Sequence, residues 1–232
     1  MVKNRTCLKE VIPIEISFIE WLGYYQGQII KELIRHIQII AISLPFALMI
    51  SVPLGFYISP RPKMAQIVIN LASIMMTIPS LALFGLMVVL LAPFHLGLGI
   101  VPAVIAITLY SMLPITRNTY IAINQVPEGM IEAARGMGMT KQQILWRVKL
   151  PLSIPVIMAG VRNAMVLGVS VATFASLVAA GGLGYFIFSG IGRSNLRMVL
   201  VGAILVSILG IGVNYFLLLV EDWITPKGLK VK

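Results

Sequence analysis

The chain has 232 residues, 59% of them hydrophobic and 11% charged, and a net charge of +10; its mean hydropathy is +0.97. That balance excludes an ordinary water-soluble domain. The basic excess does not mark a nucleic-acid ligand, because the Lys and Arg residues sit mainly in short loops beside apolar runs, as membrane anchors do.

No Asp or Glu occurs between Glu32 and Glu128, or between Glu132 and Glu221. Acid-free tracts of this length fit an all-α polytopic membrane protein, since a carboxylate at the bilayer centre is costly. Cys7 is alone, so there is no disulfide framework. His36 and His95 lack a neighbouring acid or Cys, which speaks against a metal site.

Residues 1–36 form an N-terminal segment. Ile14–Arg35 is expected as an amphipathic helix at the outer interface, with Trp21, Tyr24 and Tyr25 at headgroup depth. A span through Val11–Ile30 is the alternative, but it buries Glu15, Glu20, Gln26 and Gln28. The segment is not a convincing signal peptide, because acids break its apolar core. A membrane span needs about 20 apolar residues. Five such runs follow: Ile37–Ile58, Met64–Leu91, Ile100–Thr116, Leu152–Ala180 and Met198–Val220. Arg61 and Lys63 close the first, an uncharged turn from Pro93 to Gly99 follows the second, and Arg117-Asn118 bounds the third. Residues 37–220 thus make the transmembrane domain, and residues 221–232 a basic tail.

The basic residues orient these spans. The Arg61/Lys63 turn, the loop 117–151 with Arg117, Arg135, Lys141, Arg147 and Lys149, and the tail with Lys227, Lys230 and Lys232 all fall on the cytoplasmic side. Arg193, Arg197 and the N-terminal charges fall outside, against the rule.

The loop 117–151 reads as two short helices. Pro127 suits the first helical position, and Glu128 and Glu132 suit the positive end of the helix dipole. Gly136 and Gly138 supply left-handed turns. Thr140 and Gln143 make a capping box for a second helix, Lys141 to Lys149. Pro151 and Pro155 mark the start of the fourth span. Taken by itself, this is an ordinary solvated helix-turn-helix connection. A short helix held between two spans can also act as a lever if a partner's groove captures it. In that case Ala133 and Ala134 permit close approach, and Glu132 and Arg135 offer charge-assisted bonds.

The spacing is informative. Glu132-Ala133-Ala134 is followed by three residues, Gly138, nine residues, and then Val148-Lys149-Leu150-Pro151. This resembles the loop by which permeases of binding-protein-dependent ABC importers grip their ATPase. Thr77–Gly85, Leu113–Tyr120, Ile131–Thr140, Leu150–Arg162 and Ala180–Gly184 extend the resemblance to the osmoprotectant branch of that family, which takes up glycine betaine, choline and carnitine. Val148 departs from the usual Ile, conservatively. The N-terminal 36 residues find no counterpart.

The resemblance implies a type I importer fold with a five-span core in a bacterial inner membrane, paired with a second permease around a central path. It also implies that Glu132, Ala133, Ala134, Arg135, Gly138, Leu150 and Pro151 couple to ABC ATPase subunits, and that a periplasmic or lipid-anchored substrate-binding protein delivers the solute. The chain lacks a G-x-x-x-x-G-K-[ST] sequence, so ATP and Mg belong to the partner and this chain needs no cofactor.

Residues inside the spans supply candidates for a gate or path. Thr77, Pro79 and Ser80 interrupt the second span; they make either a gate or a packing kink, in which Thr77 or Ser80 satisfies the freed carbonyl. Asn118, Arg162 and Asn163 are further candidates. Arg162 has no acid within the spans, which leaves carbonyls, Glu128, Glu132 or lipid phosphate as partners. Arg193 and Arg197 are candidates for docking the binding protein, against ordinary loop solvation. A secondary transporter or channel is disfavoured because proton coupling uses intramembrane carboxylates. A membrane enzyme is disfavoured because no nucleophile–base constellation is present.

Overall fold

Ser43, Ala47, Ser51 and Gly55 recur every fourth residue and so share one helix face. In the structure, a computed structural model that describes residues 17–225, all four are buried in helix α1 (Phe18–Ile58). They form a seam with α4 (Ile100–Asn124). Small residues let two helix backbones approach closely, the usual basis of helix association in lipid. A Cβ on Gly55 would stand 2.5 Å from the Thr119 Cβ. Thr108 and Thr116 donate to the carbonyls of Ser43 and Ser51, each at 3.4 Å. The separation is 65 residues in both bonds, so α1 and α4 run parallel.

Parallel neighbours require the chain to cross back between them. The return is made by α2 (Pro62–Thr77) and α3 (Ser80–Leu91), which meet at an angle of 97°. The run Met64–Leu91, expected as one span, is therefore two helices. Pro79 removes a backbone donor and cannot continue the helix, and Ile78 is extended. Thr77 donates to the Ile74 carbonyl at 2.7 Å. The Ile78 carbonyl at the break is satisfied by the hydroxyl of Tyr110 on α4, not by Thr77 or Ser80.

A short 3-10 turn (Ala92–Phe94) and Gly99, whose N–H donates to the Val178 carbonyl at 2.7 Å, tie the far end of α3 to the outer end of the bundle. Helix α4 continues past the expected boundary at Arg117-Asn118 as far as Asn124. The polar pair does not stop it, because Asn118 bonds back to the Pro114 carbonyl at 2.9 Å and Arg117 is exposed.

Two short helices, α5 (Glu128–Gly136) and α6 (Lys141–Ile144), fill the cytoplasmic loop. Helix α7 (Leu150–Val171) then runs antiparallel to α4: Gly160 faces Asn118 and Pro114, and Gly168 faces Ile107 and Ser111. The tightened 3-10 stretch Ala172–Val178 finishes this span. After α8 (Gly184–Gly192), helix α9 (Leu196–Ile224) returns against α7. Glu221 and Asp222, assigned to the tail by sequence, form the last turn of α9.

The expected interfacial helix is not separate from the first span. Described residues 18–58 form one helix, about 62 Å long at 1.5 Å per residue. That is roughly twice the hydrocarbon thickness. No helix breaker lies between Phe18 and Ser43, and Gly23 and Gly27 have open space around them, so nothing turns the chain into the interface plane. The outer half of α1 packs instead on α8 and the start of α9, burying Trp21 and Ile29 with Phe186, Met198 and Val201. The remaining N-terminal residues and the lysines of the tail lie outside the described residues.

Three side chains of α1 also hold the loop between α7 and α8. Glu32 accepts the Gly182 N–H at 2.7 Å, and Arg35 Nε donates to the Ala180 carbonyl at 2.8 Å. The His36 Nδ1 accepts the Leu183 N–H at 3.2 Å, while its Nε2 lies 3.1 Å from the Val169 carbonyl. These bonds fix the imidazole as the neutral tautomer with the proton on Nε2. Gly182 has a φ of +100°, and a Cβ there would lie 3.2 Å from His36; both facts favour glycine.

The α4–α7 seam offers a direct test of this packing. A Cβ on Gly160 would come within 2.6–2.8 Å of Asn118 and the Pro114 carbonyl, whereas Gly85 has open space. Gly160→Ala is expected to destabilise the detergent-solubilised protein by about 1–3 kcal/mol, read as a lowered midpoint in a thermal melt. Gly85→Ala should leave that midpoint unchanged or slightly raised.

Candidate functional site

The cytoplasmic loop is a small folded unit with its own core. Val126, Ile131, Ala134 and Ile144 are buried together, with Met139, Val148 and Leu152 packed around them. Pro127 caps α5 from just outside its first turn, one position earlier than expected. Gly138, with a φ of +76°, turns the chain; Gly136 is still helical. Thr140 and Gln143 form the expected capping box, with Thr140 N–H donating to Gln143 Oε1 at 2.8 Å and Gln143 N–H to Thr140 Oγ1 at 3.3 Å.

The two alanines of the motif divide their tasks. Ala133 is exposed beside Glu132. Ala134 is 1% exposed and faces inward, where its small side chain lets α5 sit close against α6. Arg135 lies 3.6 Å from Glu128 across one exposed face of α5, a contact worth about 0–1 kcal/mol in water. The outer face of the loop presents Glu132 and Ala133 together with Met130 and Met137, the last two 46% and 75% exposed.

Below this face the loop is joined to the bundle without a flexible link. Helix α6 runs into a π-helical turn, Leu145–Lys149, and directly into α7. The proline ring of Pro151 crowds the carbonyl four residues back, that of Arg147, which lies in the widened turn. Pro151 occupies the first turn of α7, and Pro155 lies within the helix. The prolines therefore shape the helical run without breaking it. Trp146 stacks on Phe56 of α1 at 6.3 Å between ring centroids, and Leu150 packs on a core that includes Ala47, Ile115 and Ala122. Helices α5 and α6 are thus joined to α7 and, by contact, to α1 and α4.

The other sequence candidates fall in several places. Arg162 is half-buried and donates to Glu221 at 3.1 Å. The sequence does not report this partner, because Glu221 reads as lying beyond the fifth span; helix α9 carries it alongside α7. Asn163 beside it is exposed. Asn118 serves its own helix and packs against Gly160. Thr77, Pro79 and Ser80 lie at the α2–α3 break, away from the loop. Arg193 caps α8 and is exposed, while Arg197 lies in the first turn of α9.

This arrangement defines a membrane-spanning transport subunit with a cytoplasmic arm. The chain belongs to the family of binding-protein-dependent transport system inner membrane components, which it matches over residues 47–227. It is 40% identical over 204 residues to the osmoprotectant import permease protein OsmW of Salmonella typhimurium, covering 88% of this chain and 95% of that protein. It is 38% identical over 204 residues to the glycine betaine/carnitine/choline transport system permease protein OpuCB of Bacillus subtilis, covering 88% and 92%. It is 36% identical over 212 residues to the choline transport system permease protein OpuBB of the same organism, covering 91% and 95%. In fold it resembles the MetNI methionine ABC transporter in its inward-facing form, with a TM-score of 0.76 at 23% identity over 91% of this chain and 100% of the other. The protein is a multi-pass permease subunit of the bacterial inner membrane.

The Arg162–Glu221 pair makes a clear prediction. Arg162→Met and Glu221→Gln should each lower the melting midpoint, by the equivalent of about 1–3 kcal/mol. The double variant should be no worse than the more damaging single one, because each change leaves the same bond unmade. Additive losses in the double-mutant cycle would show that the pair is not coupled.

Proposed function

We propose that the chain is the permease of an ATP-driven importer for osmoprotectants such as glycine betaine, choline or carnitine. The observation that carries the substrate class is the near full-length similarity to permeases of that substrate range, which extends over most of both chains. The mechanical role is supported by the exposed arm at Glu132 and Ala133 and by its continuity with α7. In this reading ATP and Mg belong to a separate ATPase chain, whose groove receives α5. Gly138 sets the angle of the arm, and Leu150 and Pro151 root it in the bundle. Closure of two ATPases draws two such arms together and rocks the spans as rigid bodies. A second permease, identical or homologous, supplies the other half of the path. A substrate-binding protein meets the outer surface that carries Arg193 and Arg197.

The test uses the complete transporter in proteoliposomes. Glu132→Lys reverses an exposed charge, so it should leave insertion and melting behaviour unchanged. It should lower solute uptake at least tenfold and weaken stimulation of ATP hydrolysis by the loaded binding protein. Normal uptake in this variant would remove the coupling role from the arm. Uptake of an amino acid in place of any osmoprotectant by the unaltered complex would keep the permease assignment and overturn the substrate class.

A further inference from the structure

The outward-facing sides of α7 and α9 enclose a groove whose polar groups are out of place in lipid. Ser170 on α7 and Ser207, Asn214 and Tyr215 on α9 line it, with Gly210 as its floor. Ser170 and Ser207 are exposed, and Tyr215 is 64% exposed. The two hydroxyl groups donate back to the carbonyls of Val166 and Ala203 on their own helices, leaving their oxygens open as acceptors. Asn214 lies on the same face of α9, half-exposed, and hydrocarbon offers its carboxamide no partner.

The depth of the groove follows from the Arg162–Glu221 pair, whose charges belong near the inner headgroups. Ser170 lies eight residues above Arg162 and Asn214 seven residues from Glu221, about 10–12 Å along the helices. That distance reaches toward the middle of a core about 30 Å thick. The break at Pro79 is at a similar depth: Tyr110 reaches Ile78, and Tyr110 adjoins Ser111, which faces Gly168.

We propose that this groove is a solute site part-way along the translocation path, and that it takes a small zwitterionic or cationic onium compound. The proposal deepens the importer reading and rests on it. None of the lining residues carries a charge, so the groove has no cation to hold a bare anion. The face of Tyr215 attracts an onium group. The Asn214 amide can donate to a carboxylate or hydroxyl at the other end of the solute. Placed on the two-fold axis of a permease pair, this concave surface faces its own copy, and two opposed grooves enclose a cavity.

Cysteine accessibility tests the site in the complete transporter in proteoliposomes, on a Cys7→Ser background. Ser207→Cys and Asn214→Cys should react with a membrane-impermeant methanethiosulfonate, and glycine betaine delivered by the binding protein should slow the reaction at least threefold. Leu219→Cys, on an exposed apolar face of α9, should not react. Tyr215→Leu should lower uptake at least tenfold while binding-protein-stimulated ATP hydrolysis persists, and Tyr215→Phe should keep most of the uptake. No reaction at either position, with or without trapped ATP, overturns the proposal. So does a disulfide between two Asn214→Cys copies that forms in every state, or a reaction rate unaffected by a solute that the same vesicles transport. Failure of the unaltered complex to take up any osmoprotectant would count against the importer reading instead, and the accessibility result would still decide whether the groove is hydrated.

Discussion

Inside hydrocarbon, an open backbone group has no partner except the protein itself. The described chain leaves regular helix near the bilayer interior at the α2–α3 break and again near the outer surface at residues 179–183. Both departures depend on side chains supplied by another helix. Tyr110 of α4 closes the first, and Glu32, Arg35 and His36 of α1 close the second. The parallel seam between α1 and α4 places both helices where they can do this. Without that close approach, the irregular segments would carry orphaned carbonyls and N–H groups.

The same seam stiffens the root of the arm, because Leu150 packs on Ala47 of α1 and on Ile115 and Ala122 of α4. Under the proposed coupling, that root must not bend. Here the root is a continuous helical run from α6 into α7, braced by Trp146 on Phe56 and by Leu150 in the neighbouring core. The exposed pair of Glu128 and Arg135 contributes little to that stiffness. Apolar packing of Val126, Ile131, Ala134 and Ile144 holds the arm in shape, while Glu132 and Ala133 remain exposed.

Much of this was legible in the chain. Four of the five apolar runs fell within long apolar helices, and Thr140 with Gln143 announced a helix start that the hydrogen bonds reproduce. The rest was hidden for identifiable reasons. Ser43 and Ser51 interrupt an apolar run, which masks their part in a four-residue repeat of small side chains. Pro79 marks a disturbance, but sequence cannot tell a kink from a 97° turn, because the outcome depends on whether Tyr110 is in reach. The cost of burying Glu15, Glu20, Gln26 and Gln28 suggested a helix lying flat; in fact α1 is continuous over its described length and packs on α8 and α9. Glu32, His36 and Glu221 are single polar residues whose partners stand far away in sequence, at Gly182, Leu183 and Arg162. No local pattern reports such pairs.

The π-helical turn between arm and span has a further consequence. A widened turn holds one residue more than an α-helical turn for nearly the same rise, and each α-helical residue rotates the chain by about 100°. Residues 145–149 therefore work as a gearing element. They set the azimuth at which the arm stands relative to the buried stripe of the span beneath it. Losing a single residue there would leave every helix intact yet swing the proposed coupling surface around the bundle, so the heading of the arm is encoded in the length of this segment as much as in its chemistry.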